Sequence, residues 1–207
     1  MKIIVATGNK GKLAEIRAIL PEDRYEIIPA KDTGFDREIV EDGTTYEENA
    51  LIKIRSVKTY LEETAYPGEY IVMADDSGLE VDYLGGKPGI YSARFMGEDT
   101  PYSIKNQAII DALDGVPDEK RGARFVCAIA LAFPDGSEET TRGIYEGRVA
   151  YEAKGQNGFG YDPMFFVPQF GATDAELPIE VKNTHSHRAK ALRQAAEIIN
   201  GYYSRKS

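Results

Sequence analysis

Read as a pattern of apolar and polar positions, the chain opens with Ile3, Ile4, Val5 and Ala6, which predicts a first strand over Lys2 to Ala6. Leu13, Ile16 and Leu20 share one helical stripe, so a helix is predicted after the turn Thr7-Gly8-Asn9-Lys10-Gly11-Lys12. Tyr25 to Ile28 predicts a second strand, and the stretch from Lys31 to Gly43 reads as irregular and acidic. Thr45 with Glu48 three residues on is a capping box, and Tyr46, Ala50, Ile54, Val57 and Leu61 then keep one helical face. Tyr66-Pro67-Gly68 breaks the chain before the apolar run from Tyr70 to Ala74. That run predicts a buried strand ending abruptly at Asp75-Asp76-Ser77-Gly78.

Further on, Thr100 as N-cap with Pro101 at the first helical position predicts a helix to about Leu113. Arg124 to Phe133 is a long apolar strand, Pro134-Asp135-Gly136 a turn, and Thr140 to Tyr145 the returning strand. A hairpin there argues against a purely parallel sheet. Met164 to Val167 predicts another strand. The last helix is signalled by Ser186 as N-cap, the stripe Leu192, Ala195, Ala196 and Ile199, and a stop at Asn200-Gly201.

Composition narrows the class. At 207 residues with no linker rich in Ser, Pro or Gly, one domain over 1–207 is expected, with room for two lobes. No apolar run approaches the roughly 20 residues that span a bilayer, and the short apolar start reads as a strand, so a soluble protein without membrane partners is expected. Cys127 is the one cysteine. It excludes an internal disulfide, fits a reducing cytoplasm, and lies in an apolar run where an inert buried thiol is expected. A formal charge of −9 disfavours nucleic acid, whose backbone calls for a basic surface. Surplus carboxylates suit a divalent ion.

Candidate chemistry falls in five places. Asp75 and Asp76 are adjacent, and adjacent residues on an extended chain point to opposite faces, so they are expected to do different jobs. One could bind a metal or activate water; alternatively the pair forms an ordinary Asx-turn. The hexapeptide Thr7 to Lys12 has a phosphate-binding layout, with amides and a helix dipole facing an anion and two lysines adding charge. It is also a common turn, and its glycines fit neither the P-loop nor the dinucleotide fingerprint. Glu48 can be spent on the cap, whereas Glu41 has no such local duty and is a candidate metal ligand. In Gly155 to Pro163, Phe159 or Tyr161 could stack on a planar ligand or cap the core. Lys182, His185, His187 and Arg188 cluster near a helix start, where cations oppose the dipole unless an anion or carbonyl compensates. Zinc and acyl-enzyme signatures are missing from the sequence.

Taken in order, Thr7 to Lys12, Ala74-Asp75-Asp76-Ser77-Gly78-Leu79, Pro88-Gly89-Ile90-Tyr91-Ser92-Ala93-Arg94, Phe159-Gly160-Tyr161-Asp162-Pro163 and Ser186-His187-Arg188 resemble one family from Lys2 to about Ala196. It is the Ham1-type inosine/xanthosine triphosphate pyrophosphatases. The resemblance implies an α/β fold, an elongated, bent, mixed sheet flanked by helices, with two lobes and a central cleft. It implies hydrolysis of ITP, dITP and XTP to the monophosphate and pyrophosphate, with magnesium, by a cytoplasmic homodimer. By motif, Thr7, Gly8, Asn9, Lys10, Gly11 and Lys12 would hold the triphosphate and Ser77 would contact substrate. Asp76 would be general base and metal ligand, with Glu41 as the other metal carboxylate. Phe159, Gly160, Tyr161, Asp162, Lys182, His187 and Arg188 would form the nucleoside pocket. A nucleotide sensor without hydrolysis would not need the carboxylates, and an RNA-binding module is disfavoured by the charge.

Overall fold

The computed structural model describes residues 1–205. In chain order the elements are β1 (Lys2–Val5), α1 (Lys10–Ile19), β2 (Glu26–Pro29), α2 (Tyr46–Glu63), β3 (Tyr70–Val81), β4 (Lys87–Pro88) and α3 (Tyr102–Ala112). They continue with β5 (Gly122–Ala132), β6 (Glu138–Val149), β7 (Phe165–Val167), β8 (Ala172–Thr173), α4 (Ile179–His185) and α5 (His187–Ser204). The hydrogen-bonded strand order is β2-β1-β3-β5-β6-β7-β8, with β4 pairing β3. The sheet is mixed, as expected. β1 runs parallel to β2 and β3, with Ile4 opposite Ile28 and Val72, whereas β7 is antiparallel to β6 and β8.

The chain divides into two compact units. The first comprises Met1–Asp76, Cys127–Gly143 and Arg188–Ser207. Its strands bury both faces, and the period of two sorts their residues into two cores. Ile3, Val5, Ile71, Met73, Cys127, Ile129, Leu131 and Phe133 pack on α1 and α5 through Ile16, Leu20, Leu192, Ala195 and Ile199. Ile4, Ala6, Val72, Ala74, Ala130 and Ala132 pack on the α2 stripe Ala50, Ile54, Val57 and Leu61. That stripe is the one read from the sequence, and its residues are buried.

The second unit is Ser77–Val126 with Ile144–His187. Its core gathers Leu79, Val81, Ile109, Leu113, Phe125, Tyr145, Val149, Tyr161, Met164, Phe165 and Leu177. Buried Arg121 bonds the carbonyls of Leu113, Val116, Val149 and Ala150, which ties the end of α3 to the end of β6. Among the described residues no helix is long and apolar enough to cross a membrane.

Several local expectations are corrected. β3 does not end at Asp75 but runs on to Val81, because both carboxylates find cationic partners and need no turn. α1 begins at Lys10 rather than Leu13, since the Asn9 side chain accepts from Gly11 and Lys12 and caps it there. Pro101, without a side-chain cap, is the N-cap of α3; the Thr100 hydroxyl instead donates to the Met96 carbonyl. α5 continues past Asn200-Gly201 to Ser204. Asn200 accepts from the Tyr25 hydroxyl and Tyr202 stacks on Phe133 at 4.4 Å, so tertiary contacts override the stop signal. α4 was not read from the sequence.

Candidate active site

In the first unit the pleat of β3 sends Asp75 and Asp76 to opposite faces, and their partners differ accordingly. Asp75 faces the α1 and α5 side. It is ion-paired with Lys12, accepts from Arg188 Nε at 2.7 Å, and has the Cys127 thiol 3.1 Å away. Arg188 also pairs with Glu15, so four charges meet in the interior. Burial alone would raise the Asp75 carboxyl, but the charge of Arg188, then that of Lys12, outweighs it and holds it well below the carboxylate range. Burial, then the Asp75 charge, pushes the Cys127 thiol up, in keeping with an inert cysteine.

Asp76 faces α2. Its Oδ1 accepts from Lys53 Nζ at 2.8 Å and its Oδ2 from Asn49 Nδ2 at 3.3 Å. Lys53 Nζ also lies 2.8 Å from Glu41 Oε2 and donates to the Asp75 carbonyl at 3.1 Å. Burial raises the Asp76 carboxyl above its ordinary value despite the opposing charges of Lys53 and Lys12. Desolvation would lower Lys53, yet the charges of Asp76 and Glu41 prevail, raise it, and keep it protonated. Two carboxylates thus converge on one cation. Among the described residues no group of three or more His, Cys, Asp or Glu could hold a metal ion. Magnesium commonly takes only one or two protein carboxylates, with the rest of its shell from water and substrate phosphates. The oxygen donors Glu41 and Asp76, already drawn toward a shared positive charge, fit it.

At the start of α1, the Thr7 hydroxyl accepts from the Asn9 amide, and the Asn9 side chain takes the Gly11 and Lys12 amides. The cap therefore occupies two N–H groups that the anion reading assigned to a ligand. A side chain at Gly8 would meet nothing within 4 Å, and Lys10 is exposed.

In the second unit, Asp162 anchors the aromatic loop. Its Oδ2 accepts from the Phe159 amide at 2.7 Å and pairs with Lys182, whose Nζ lies 3.5 Å from Asp174 Oδ2 and 5.0 Å from the Phe159 ring centroid. Gly158 has φ +72°, and a Cβ there would overlap Asp162 Oδ2. The loop can fold this way only with glycine at that position. Phe159 is half-buried, whereas the Tyr161 ring is committed to the core, its hydroxyl donating to the Ser92 carbonyl at 2.8 Å. Gly160 presents its carbonyl to Asn106 Nδ2 at 3.2 Å. His187 stacks on Phe125 at 4.9 Å, and Ser77 is half-buried.

By resemblance, Lys182, His187 and Arg188 belong to one nucleoside pocket. The structure places Lys182 and His187 in the second unit and Arg188 in the first, against Asp75 and Glu15. The compensation demanded by cations near a helix start is therefore found, but separately: carboxylates for Lys182 and Arg188, an aromatic face for His187. Lys53, Asn49, Glu15 and Asp174 also belong to these clusters, and no motif in the sequence singles them out. A lysine among the buried-side positions of α2, beside Ala50, Ile54 and Val57, was the available signal, because lysines are almost never buried unpaired.

The sequence profile described as the Ham1 family matches residues 3–198. The chain is 45% identical over 203 residues to a dITP/XTP pyrophosphatase of Desulforamulus reducens, covering 98% of each chain. It is 46% identical over 202 residues to another of that name from Shouchella clausii, again covering 98% of both. Among solved structures, the Staphylococcus aureus Ham1 protein superposes with a TM-score of 0.83 at 35% identity, over 98% of this chain and 100% of that one.

Proposed function

The chain belongs to the Ham1 family, and on that footing we propose that it hydrolyses the non-canonical purine triphosphates ITP, dITP and XTP to monophosphate and pyrophosphate. What carries the proposal is the convergence of Asp76 and Glu41 on Lys53 in the first unit. Water attacks the α-phosphorus, the bond to the bridging oxygen of the β-phosphate breaks, and pyrophosphate leaves. Asp76 accepts the proton of the attacking water at a carboxylate oxygen. Glu41 and Asp76 would hold magnesium, whose charge there neutralises the phosphates. Lys10 and Lys12 add positive charge at the start of α1, with Thr7, Gly8, Asn9 and Gly11 shaping the turn.

The nucleoside is assigned to the second unit, where Phe159 offers a face to the base beside Lys182 and Asp162. Lys182 and His187 are donors for the 6-oxygen of hypoxanthine or xanthine. Adenine presents an amino group there, which cannot accept from either donor, so the contact made with hypoxanthine or xanthine is lost. Ser77, Gly160 and Tyr161 complete the contacts by resemblance, and Arg188 acts from its place against Asp75. The same reading takes the protein to be cytoplasmic and a homodimer; light scattering of the purified chain would check the dimer.

The test is pyrophosphate release from ITP, dITP, XTP and ATP, with and without magnesium. Turnover of the deaminated nucleotides, dependent on the metal and weak for ATP, is expected. Equal rates for ITP and ATP, or none, would overturn the proposal.

A further inference from the structure

Beyond the residues that resemblance supplies, we infer that Asn49 is a positioning residue that fixes the Glu41 loop and the Asp76 carboxylate relative to one another, so that both acids can share one divalent cation. The inference rests on the roles proposed above for Glu41 and Asp76. Asn49 is wholly buried in the first turns of α2, where a polar side chain must have partners. It has one at each end. The Gly43 amide donates to its Oδ1 at 2.9 Å, and its Nδ2 donates to Asp76 Oδ2 at 3.3 Å. The orientation of the amide is forced. Exchanging its ends would set donor against the Gly43 N–H and acceptor against the carboxylate.

Glu41 lies two residues before Gly43, so whatever holds Gly43 also sets where Glu41 stands. The loop is laid directly on the helix. A Cβ at Gly43 would come within 2.7 Å of Asn49 Oδ1 and 2.8 Å of Glu48 Cβ. Thr44 is clamped as well, its amide and hydroxyl donating to Glu48 Oε2 at 2.6 and 2.7 Å. On the other side, the bond from Nδ2 to Oδ2 fixes the rotation of the Asp76 carboxylate and leaves Oδ1 aimed at Lys53, four residues further along the same helix. One amide therefore sets both the position of one acid and the rotation of the other. Groups that hydrogen-bond metal-ligating carboxylates typically contribute about 10- to 100-fold in affinity or activity.

Two substitutions read the contact from its two sides: Asn49→Leu keeps the packing and removes both bonds, and Gly43→Ala lifts the loop off the amide. Ile54→Val, in the buried stripe of the same helix, supplies the baseline for lost stability alone. The measurements are Mn2+ binding by electron paramagnetic resonance without nucleotide, thermal unfolding without metal, and kcat and KM for ITP over a magnesium series. Both variants are expected to bind Mn2+ about 10- to 100-fold more weakly than the wild type. Their kcat should fall more than KM changes, with partial recovery at high magnesium, while Ile54→Val loses only stability. Lowered melting temperatures with Mn2+ affinity and kcat unchanged would overturn the inference and leave the proposed activity standing. Failure of the wild type itself to release pyrophosphate from ITP would overturn both.

Discussion

Arg188 Nε donates to Asp75 Oδ2 across 2.7 Å, and both side chains are almost wholly shut off from solvent. Removing one member of such a pair leaves a buried charge that water cannot reach, at a cost of about 3–5 kcal/mol. Arg188→Met is therefore expected to lower the unfolding free energy by about 3–5 kcal/mol at pH 7: Lys12 still pairs with Asp75, but Glu15 loses its Arg188 partner. Urea denaturation measures this. The folded Asp75 carboxyl sits below its unfolded value, so its contribution is present above about pH 4 and is lost as pH falls through the folded value. The gap between wild type and Arg188→Met should narrow in acid. The double substitution Arg188→Met with Asp75→Asn should recover part of the loss, because one of the two carboxylates that lose Arg188 is then neutral while Glu15 keeps its charge.

Asp76 meets the opposite face and should behave differently. Asp76→Asn keeps the size of the side chain, and Lys53 retains Glu41 and the Asp75 carbonyl, so the fold is expected to survive. An amide cannot accept the proton of the attacking water, and ITP turnover should fall by roughly 10²- to 10⁴-fold. Circular dichroism with pyrophosphate release checks both halves. A wild-type rate in the Asp76→Asn variant would remove Asp76 from the base role.

The contrast between these two aspartates also shows what the sequence could and could not yield. Their divergence followed from the period of two alone, and the α2 stripe from Tyr46 to Leu61 followed from the period of 3.6, because both are rules of backbone geometry. The true end of β3 is hidden in the sequence because Asp and Gly are turn formers by local propensity, and only the distant cations Lys12, Arg188 and Lys53 make carboxylates tolerable inside a strand. Asn200-Gly201 failed as a stop for the same reason, since Tyr25 and Phe133 reach α5 from far along the chain. Glu41 stands out in the sequence as lacking a local duty, but its partner Lys53 does not, since no local rule names the partner of a buried charge. Splitting His187 from Arg188 between two units was beyond sequence spacing altogether.

Gly158 offers a test of the aromatic loop that leaves its functional groups in place. Alanine there must take a left-handed backbone at φ +72°, which costs about 1–2 kcal/mol, and its methyl would push on Asp162 Oδ2. That oxygen holds both the Phe159 amide and Lys182, so displacing it should loosen the loop proposed to hold the base. Gly158→Ala is expected to raise KM for ITP about tenfold or more with a smaller change in kcat, since about 1.4 kcal/mol of lost binding is a factor of ten. A fall in kcat at constant KM would place the loop elsewhere in the reaction.

Arg121 makes a prediction about stability alone, because it belongs to neither cluster. Its guanidinium is buried and donates from Nε to the Val149 carbonyl at 2.9 Å, from Nη2 to Ala150 at 2.9 Å and from Nη1 to Leu113 at 2.7 Å. Leu113 closes α3, whose last carbonyls have no partner within the helix, so the side chain serves as a cap delivered from outside. Its planar fork reaches three directions at once; the ammonium of lysine gathers its donors at a single point. Arg121→Lys should therefore leave carbonyls of this set buried without a donor, at about 1–3 kcal/mol each. The expected outcome is a loss of about 3 kcal/mol in urea denaturation, with faster amide hydrogen exchange around Leu113 and Val116. ITP turnover of the folded enzyme at low temperature should stay at the wild-type rate. A lysine variant as stable as the wild type would show that water or a shifted backbone satisfies those carbonyls as well as the guanidinium does.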